Sequence, residues 1–156
     1  MGQQPLGKST TQGIPDRVLP LILSDQGIST QKFGPPGWRF IHLVAMNYPL
    51  QPTRDQEVSY FRFFESLCHI LPCKFCRKEF CKMTQTPGNP LYLDKKRFRQ
   101  RRGEQPGAAR IRLFLYTLQL HDCVNRRLRK PRKPLHRYIE MYARMRSVST
   151  INTKNT

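Results

Sequence analysis

Between residues 33 and 146, apolar side chains recur at intervals of three and four, the period of an amphipathic helix. No stretch alternates as a half-buried strand would. Trp38, Ile41, His42, Ala45 and Met46 share one face, which predicts a helix over residues 37–47 that stops before Pro49. Thr53 followed by Gln56 is a capping-box pattern. It predicts a second helix that turns Val58, Phe61, Phe64, Leu67 and Cys68 inward and closes before Pro72. A third, shorter helix is expected from Cys73 to just before Pro87, followed by a basic, glycine-containing loop over residues 86–107. The fourth helix carries Ile111, Phe114, Leu115, Leu118, His121, Val124, Asn125 and Leu128. After Pro134, the spacing of Leu135, Tyr138, Ile139 and Tyr142 predicts a fifth. Amphipathic helices with short connections define an all-α fold, a four-helix bundle with a short fifth helix. Residues 1–32, rich in Gly, Pro, Ser, Thr and Gln, read as a flexible N-terminal arm with one apolar patch at residues 18–23. Residues 33–146 form the expected domain, and residues 147–156 a flexible C-terminal tail.

Charge changes this picture more than length does. The 156 residues carry a net charge of +18, enough to attract nucleic acid, acidic proteins or a membrane surface. Two blocks hold much of it, residues 95–102 and residues 126–133, and such blocks commonly serve as solvated faces. There is no secretory apolar segment and no run long enough to span a membrane, which points to the cytoplasm. Gly2 offers a myristoylation site, but Leu6 stands where Ser or Thr is wanted. The five cysteines are Cys68, Cys73, Cys76, Cys81 and Cys123. An odd number without a leader argues against a secreted disulfide scaffold.

The chemistry concentrates at Pro72-Cys73-Lys74-Phe75-Cys76-Arg77-Lys78. Proline before the first thiol sets Cys73 and Cys76 at a helix N-terminus, on one face. The positive end of that helix, with Lys74, Arg77 and Lys78 nearby, favours thiolate over thiol. Such a pair can cycle between dithiol and disulfide. It can also hold zinc, with His69 and Cys81 completing four ligands in a basic nucleic-acid-binding module. Cys68, on an inner face, reads as a buried inert thiol, whereas Cys81 reads as a structural thiol, a resolving cysteine or half of an accessory disulfide.

A second constellation ends the fourth helix. His121, Asn125 and Leu128 share a face, as do Trp38 and His42 on the first helix. Buried polar groups of this kind need partners, and one reading is a pair satisfied within the bundle. Flat rings with nearby cations also suit a planar, phosphate-bearing ligand.

Four blocks together, Trp38-x-x-x-His42, Tyr48-Pro49, Pro72-Cys73-x-x-Cys76 and His121-Asp122-x-Val124-Asn125-x-x-Leu128-x-Lys130-Pro131, resemble the Erv/ALR flavin-linked sulfhydryl oxidases. The resemblance covers roughly residues 33–142 and is similar to the short versions encoded by large cytoplasmic DNA viruses. It implies a helical bundle that holds FAD beside a redox disulfide. Trp38, His42, His121 and Asn125 would then enclose the adenine end, with Val124 in the same motif. Tyr48 would lie against the cofactor, Lys130 near its phosphates, and Tyr142 would add an aromatic contact. Cys76 would be the thiol next to the flavin, and Cys73 the outer thiol that exchanges with substrate. The implied activity oxidises dithiol proteins, passing electrons through FAD to O2 and giving hydrogen peroxide. The implied partners are a dithiol protein and a second copy of the chain. The expected setting is the host cytoplasm, with the virion as the alternative. The block at residues 95–102 is an expected docking site for an acidic partner or nucleic acid. Four positions depart from the family pattern. Asp122 stands in place of Asn, Tyr116 of Trp, Arg129 of Gly and Pro35 of Arg. Neither tail carries a second cysteine pair, so a direct reaction with the partner protein is expected.

Overall fold

The computed structural model describes residues 13–25, 27–131 and 134–145. The C-terminal tail, the first twelve residues with Gly2, and Arg132 and Lys133 of the second basic block lie outside them. The described residues form six α-helices and a short 3-10 turn, with no strand among them. In chain order the helices are α1 (Leu19–Ile22), α2 (Thr30–Met46), α3 (Arg54–Ile70), α4 (Lys74–Gln85), α5 (Ala108–Arg127) and α6 (Leu135–Ala143). The 3-10 turn, Lys95–Arg97, lies in the loop between α4 and α5. Helices α2 to α5 make the expected bundle, with α2 packed on α5 and α3 on α4, while α6 lies against α2.

Two boundaries differ from the sequence expectation. The arm contains the single turn α1, which leaves Leu21, Ile22 and Leu23 exposed. Helix α2 starts at Thr30, seven residues before Gly37, and carries Pro35 and Pro36 within it. Proline's φ suits a helix; what it removes is a backbone donor and room for the preceding turn. The leading turn is held instead from Ser29, whose carbonyl accepts from the N–H of Lys32 (2.9 Å) and of Phe33 (3.0 Å).

The remaining ends follow their sequence signals. Thr53 and Gln56 complete both halves of the capping box at α3, at 3.3 and 2.9 Å. Gly107 precedes α5 with φ of 87°, and its N–H donates to the Leu50 carbonyl at 2.8 Å. A Cβ there would meet Leu50 Cδ2 at 2.9 Å, so both the backbone and the space call for glycine. The core is filled by Tyr48, Phe64, Met83, Phe98, Leu113, Tyr116 and Leu120.

The basic loop is partly built into this core. Phe98 is buried, Lys95 lies over the Phe61 ring, and Arg97 lies over the Tyr116 ring while donating to the carbonyls of Pro90 and Tyr92. Tyr116, at the position of a family Trp, donates its hydroxyl to the Leu91 carbonyl (2.8 Å) and so pins this loop to α5. Of the cations in residues 95–102, Lys95, Lys96, Arg99, Arg101 and Arg102 are exposed, and Arg97 is half-buried.

Candidate active site

At the thiol end, Leu71 ends α3, Pro72 blocks its continuation, and Cys73 becomes the N-cap of α4. Its sulfur accepts from the Cys76 N–H at 3.2 Å, as a capping oxygen would. The two cysteines, with Cα atoms 5.1 Å apart, are joined as a disulfide. Neither sulfur is therefore a thiolate ligand here, and among the described residues no group of three or more His, Cys, Asp or Glu is arranged to hold a metal ion.

Arg77 braces the motif by donating to the Leu71 carbonyl at 2.6 Å. The arm returns to the same place, where Ile28 N–H donates to the Pro72 carbonyl at 2.7 Å. Gly27 beside it has φ of 77°, and a Cβ there would lie 2.6 Å from that carbonyl oxygen. Phe75, between the two cysteines, is exposed, as is Ile70.

At the aromatic end, α2, α5 and α6 converge. Trp38 stacks on His121 with ring centroids 4.5 Å apart and planes 8° from parallel. His42 lies next to both, at 5.7 Å from Trp38 and 5.2 Å from His121. Tyr142 meets His42 edge-on at 5.1 Å and Phe114 at 5.7 Å, and Tyr138 lies 6.0 Å from His121.

Hydrogen bonds assign the protons in this cluster. The Thr117 hydroxyl donates to the Phe114 carbonyl (2.7 Å), so its oxygen accepts from His42 Nδ1 (2.9 Å). His42 Nε2 then carries a lone pair and accepts from His121 Nδ1 at 3.0 Å. A neutral His42 is what burial demands. Desolvation first, and the neighbouring His121 second, lower its pKa to about 3. Burial likewise raises that of the Tyr142 hydroxyl.

Beside the stack an open cleft of about 250 Å³ is lined by residues including Leu118, His121, Asp122, Asn125 and Tyr138. Asp122, the unusual carboxylate, pairs with Arg126 at 3.4 Å, which offsets its charge next to any phosphate. Val124 is half-buried against the core, and Lys130 is exposed past the helix end. That end is a Schellman turn. Arg129 N–H donates to the Arg126 carbonyl (3.1 Å), and Lys130 N–H to the Asn125 carbonyl (2.9 Å). Arg129 sits at φ of 53°, so the turn that favours glycine is kept although the glycine is not.

The two ends are linked. Glu79 of α4 pairs with Arg127 of α5, which sets the redox helix beside the end of α5 that carries Val124 and Asn125. Tyr48 does not join either group. It is fully buried, packed on Tyr60 and Phe98, with its hydroxyl donated to the Phe98 carbonyl. That surrounding leaves no open face for a cofactor in this arrangement. Burial first, then the nearby carboxylate of Glu57, raises the pKa of that hydroxyl. Conversely, Thr117 was not anticipated from sequence. Its signal was a small polar residue four positions before His121, on the same helix face as the apolar Leu113 and Phe114.

The fold is a helical bundle that carries a disulfide at one helix N-terminus and a flat aromatic and imidazole site at its other end. The Erv1 / Alr family matches residues 36–144, and the chain belongs to it. "Probable FAD-linked sulfhydryl oxidase R368" of Acanthamoeba polyphaga mimivirus is 30% identical over 99 residues, 63% of this chain and 59% of that protein. The mitochondrial FAD-linked sulfhydryl oxidase ERV1 of Saccharomyces cerevisiae is 30% identical over 102 residues, 65% of this chain and 46% of that protein. The chain thus spans about half the length of the curated relatives it matches. Among solved structures, the FAD binding domain of the Saccharomyces cerevisiae Erv1 aligns with a TM-score of 0.55 at 25% identity, covering 77% of this chain and 99% of that one. The yeast Erv1 core, at 24% identity and a TM-score of 0.56 over 77% of this chain and 88% of that one, shares the fold. Among the described residues no helix is long and apolar enough to cross a membrane.

Proposed function

We propose that the chain is an FAD-dependent thiol oxidase that forms disulfides in dithiol proteins. The observation that carries this is the Cys73–Cys76 disulfide capping α4, tied by the Glu79–Arg127 pair to the α5 end that bears the stacked site. The residues present suit the cofactor. The parallel Trp38 and His121 rings, the adjoining cleft and the Asn125 amide match a flat, hydrogen-bonding base. Trp38, His42, His121, Val124, Asn125 and Tyr142 would hold that end, with Lys130 beyond the helix end for the phosphates. Tyr48 would reach the cofactor only if Tyr60 and Phe98 gave up their contact with it.

A substrate thiolate attacks Cys73 Sγ, forming a mixed disulfide and releasing Cys76 as thiolate. The second substrate thiol then attacks the substrate sulfur of that bond. Product disulfide leaves, and Cys73 and Cys76 remain as the reduced pair. The helix N-terminus supports each thiolate in turn, and the Cys76 N–H points at Cys73 Sγ. FAD, when bound, would supply a two-electron acceptor through which Cys76 returns the pair to the disulfide, with O2 as the final acceptor and hydrogen peroxide as its product.

An absorption spectrum of the purified protein, with and without dithiothreitol under air, tests this. Flavin bands should bleach with the thiol and recover with oxygen, with peroxide accumulating. A colourless protein that leaves dithiothreitol unoxidised would overturn it.

A second copy of the chain as partner, and the cytoplasm as setting, belong to the same proposal. The viral relative supports the setting, although the yeast relative is named mitochondrial. Sedimentation velocity checks the dimer, a single species at monomer mass being the contrary result. The exposed Lys96, Arg99, Arg101 and Arg102 support docking of an acidic partner or nucleic acid. Reversing these four charges without effect on turnover or localisation would remove that part.

A further inference from the structure

We propose that Cys68 and Cys81 are a second oxidisable thiol pair, which peroxide closes into a disulfide stapling α3 to α4. Cys68 faces inward from α3, and Cys81 lies on α4 eight residues after Cys73. The Cys81 thiol donates to the Cys68 carbonyl at 3.6 Å, so its sulfur lies against the very residue it would bond. Cys68 is 3% exposed and Cys81 half-buried, so an oxidant from solvent meets Cys81 first.

The Cys68 sulfur is 3.6 Å from Thr84 Oγ1. That hydroxyl is committed to the Phe80 carbonyl at 2.9 Å, so its oxygen accepts from the Cys68 thiol. Burial first, then hydrogen bonding with the Cys81 side chain, pushes the Cys68 thiol up to about 12. Cys68 is therefore a poor first nucleophile and a well-placed second one.

The chemistry balances with one peroxide. The Cys81 thiolate attacks a peroxide oxygen; the O–O bond breaks, the sulfur becomes a sulfenic acid, and the departing hydroxide takes a proton to leave as water. Cys68 sulfur then attacks Cys81 sulfur. The S–S bond forms, the S–O bond breaks, and the Cys68 proton goes to the departing hydroxide. Two thiols lose two electrons and two protons, and peroxide becomes two waters. Peroxide as the oxidant rests on the proposed oxidase reaction, which makes it on the spot. The staple would fix α4, the helix that positions Cys73 and Cys76, against the bundle in response to the enzyme's own product.

The test uses the reduced full chain without air, treated with added hydrogen peroxide, alkylated, digested and mapped by mass spectrometry. The expected result is a Cys68–Cys81 linked peptide, lighter by two hydrogens, in wild type and in a variant with Cys73→Ser and Cys76→Ser. A raised Tm should accompany it, and Cys81→Ser should lose both signals. Cys81 carried on to sulfinic acid with Cys68 still a thiol would overturn the pair. So would Cys81 linked to Cys73, Cys76 or Cys123, or no linkage at all. Because the peroxide is added, a colourless protein that still forms the link would leave the pair standing and remove only its source of oxidant.

Discussion

The thiol end and the aromatic end of this site are built in opposite ways. Cys73 and Cys76 are three residues apart, and one helix N-terminus positions both. Trp38, His42, Thr117, His121 and Tyr142 come from three helices, and His42 bonds partners 75 and 79 residues away along the chain. Chemistry at the thiol end can therefore be removed without disturbing the bundle. At the aromatic end, the groups proposed to hold the cofactor also hold the helices together. The largest test of that contrast is Cys76→Ser. It should abolish disulfide formation in a thiol-consumption assay, because no partner sulfur remains for Cys73. With wild type compared in its reduced form, so that the lost cross-link does not enter, unfolding free energy should change by no more than about 1 kcal/mol, as a half-exposed position allows. A comparable loss of stability would show the two ends to be one unit.

His42 gives the converse case. Its ordinary pKa is 6.5 and its folded value about 3, so between these pH values the unfolded chain binds a proton that the folded chain refuses. The stabilisation is complete above pH 6.5 and falls away toward pH 3, by on the order of 5 kcal/mol in all. The other titrating groups near the ring are His121 and Tyr142, and the tyrosine stays neutral throughout that window. Denaturant melts from pH 7 to pH 4 check the slope. His42→Phe should flatten that slope and, at pH 7, cost about 2–4 kcal/mol by stranding Thr117 and His121. It should also loosen flavin retention. Equal slopes in the two proteins would place the acid sensitivity elsewhere.

Two smaller effects concern the edges of each end. Gly27→Ala should push the arm off the Pro72 carbonyl, with a local cost of about 1–2 kcal/mol from the positive φ. Faster amide exchange at Ile28, with α5 amides unchanged, is the expected signature. Arg129→Gly should stabilise the Schellman turn at the aromatic end by about 0.5–1 kcal/mol, read as a modest rise in Tm. A fall in Tm would mean the arginine side chain contributes more than its backbone strain removes.

Much of this protein was legible because its signals are short-range. The capping box at Thr53, the helix start at Cys73 and the stop before Pro72 each lie within a few residues, where backbone sterics and capping act. The i, i+4 pairs Trp38 with His42 and His121 with Asn125 follow from helix geometry alone. The start of α2 was placed late because the apolar spacing begins only at Trp38, whereas Ser29 can anchor a turn ahead of Pro35 and Pro36. The burial of Tyr48 was not legible because a tyrosine beside a proline carries no sign of which core it will enter; packing with Tyr60 and Phe98 decided that.

The sequence by itself determined the helices, the redox pair at a helix N-terminus and the residues facing each seam, since periodicity and capping are properties of neighbours along the chain. Only the tertiary structure decided that Thr117 and His121 would hold His42 neutral, that Glu79 would bring α4 to the end of α5, and that Cys81 would lie against Cys68. Those contacts join residues from separate helices. Burial and hydrogen bonding between them arise only when the helices pack, and so no local pattern records them.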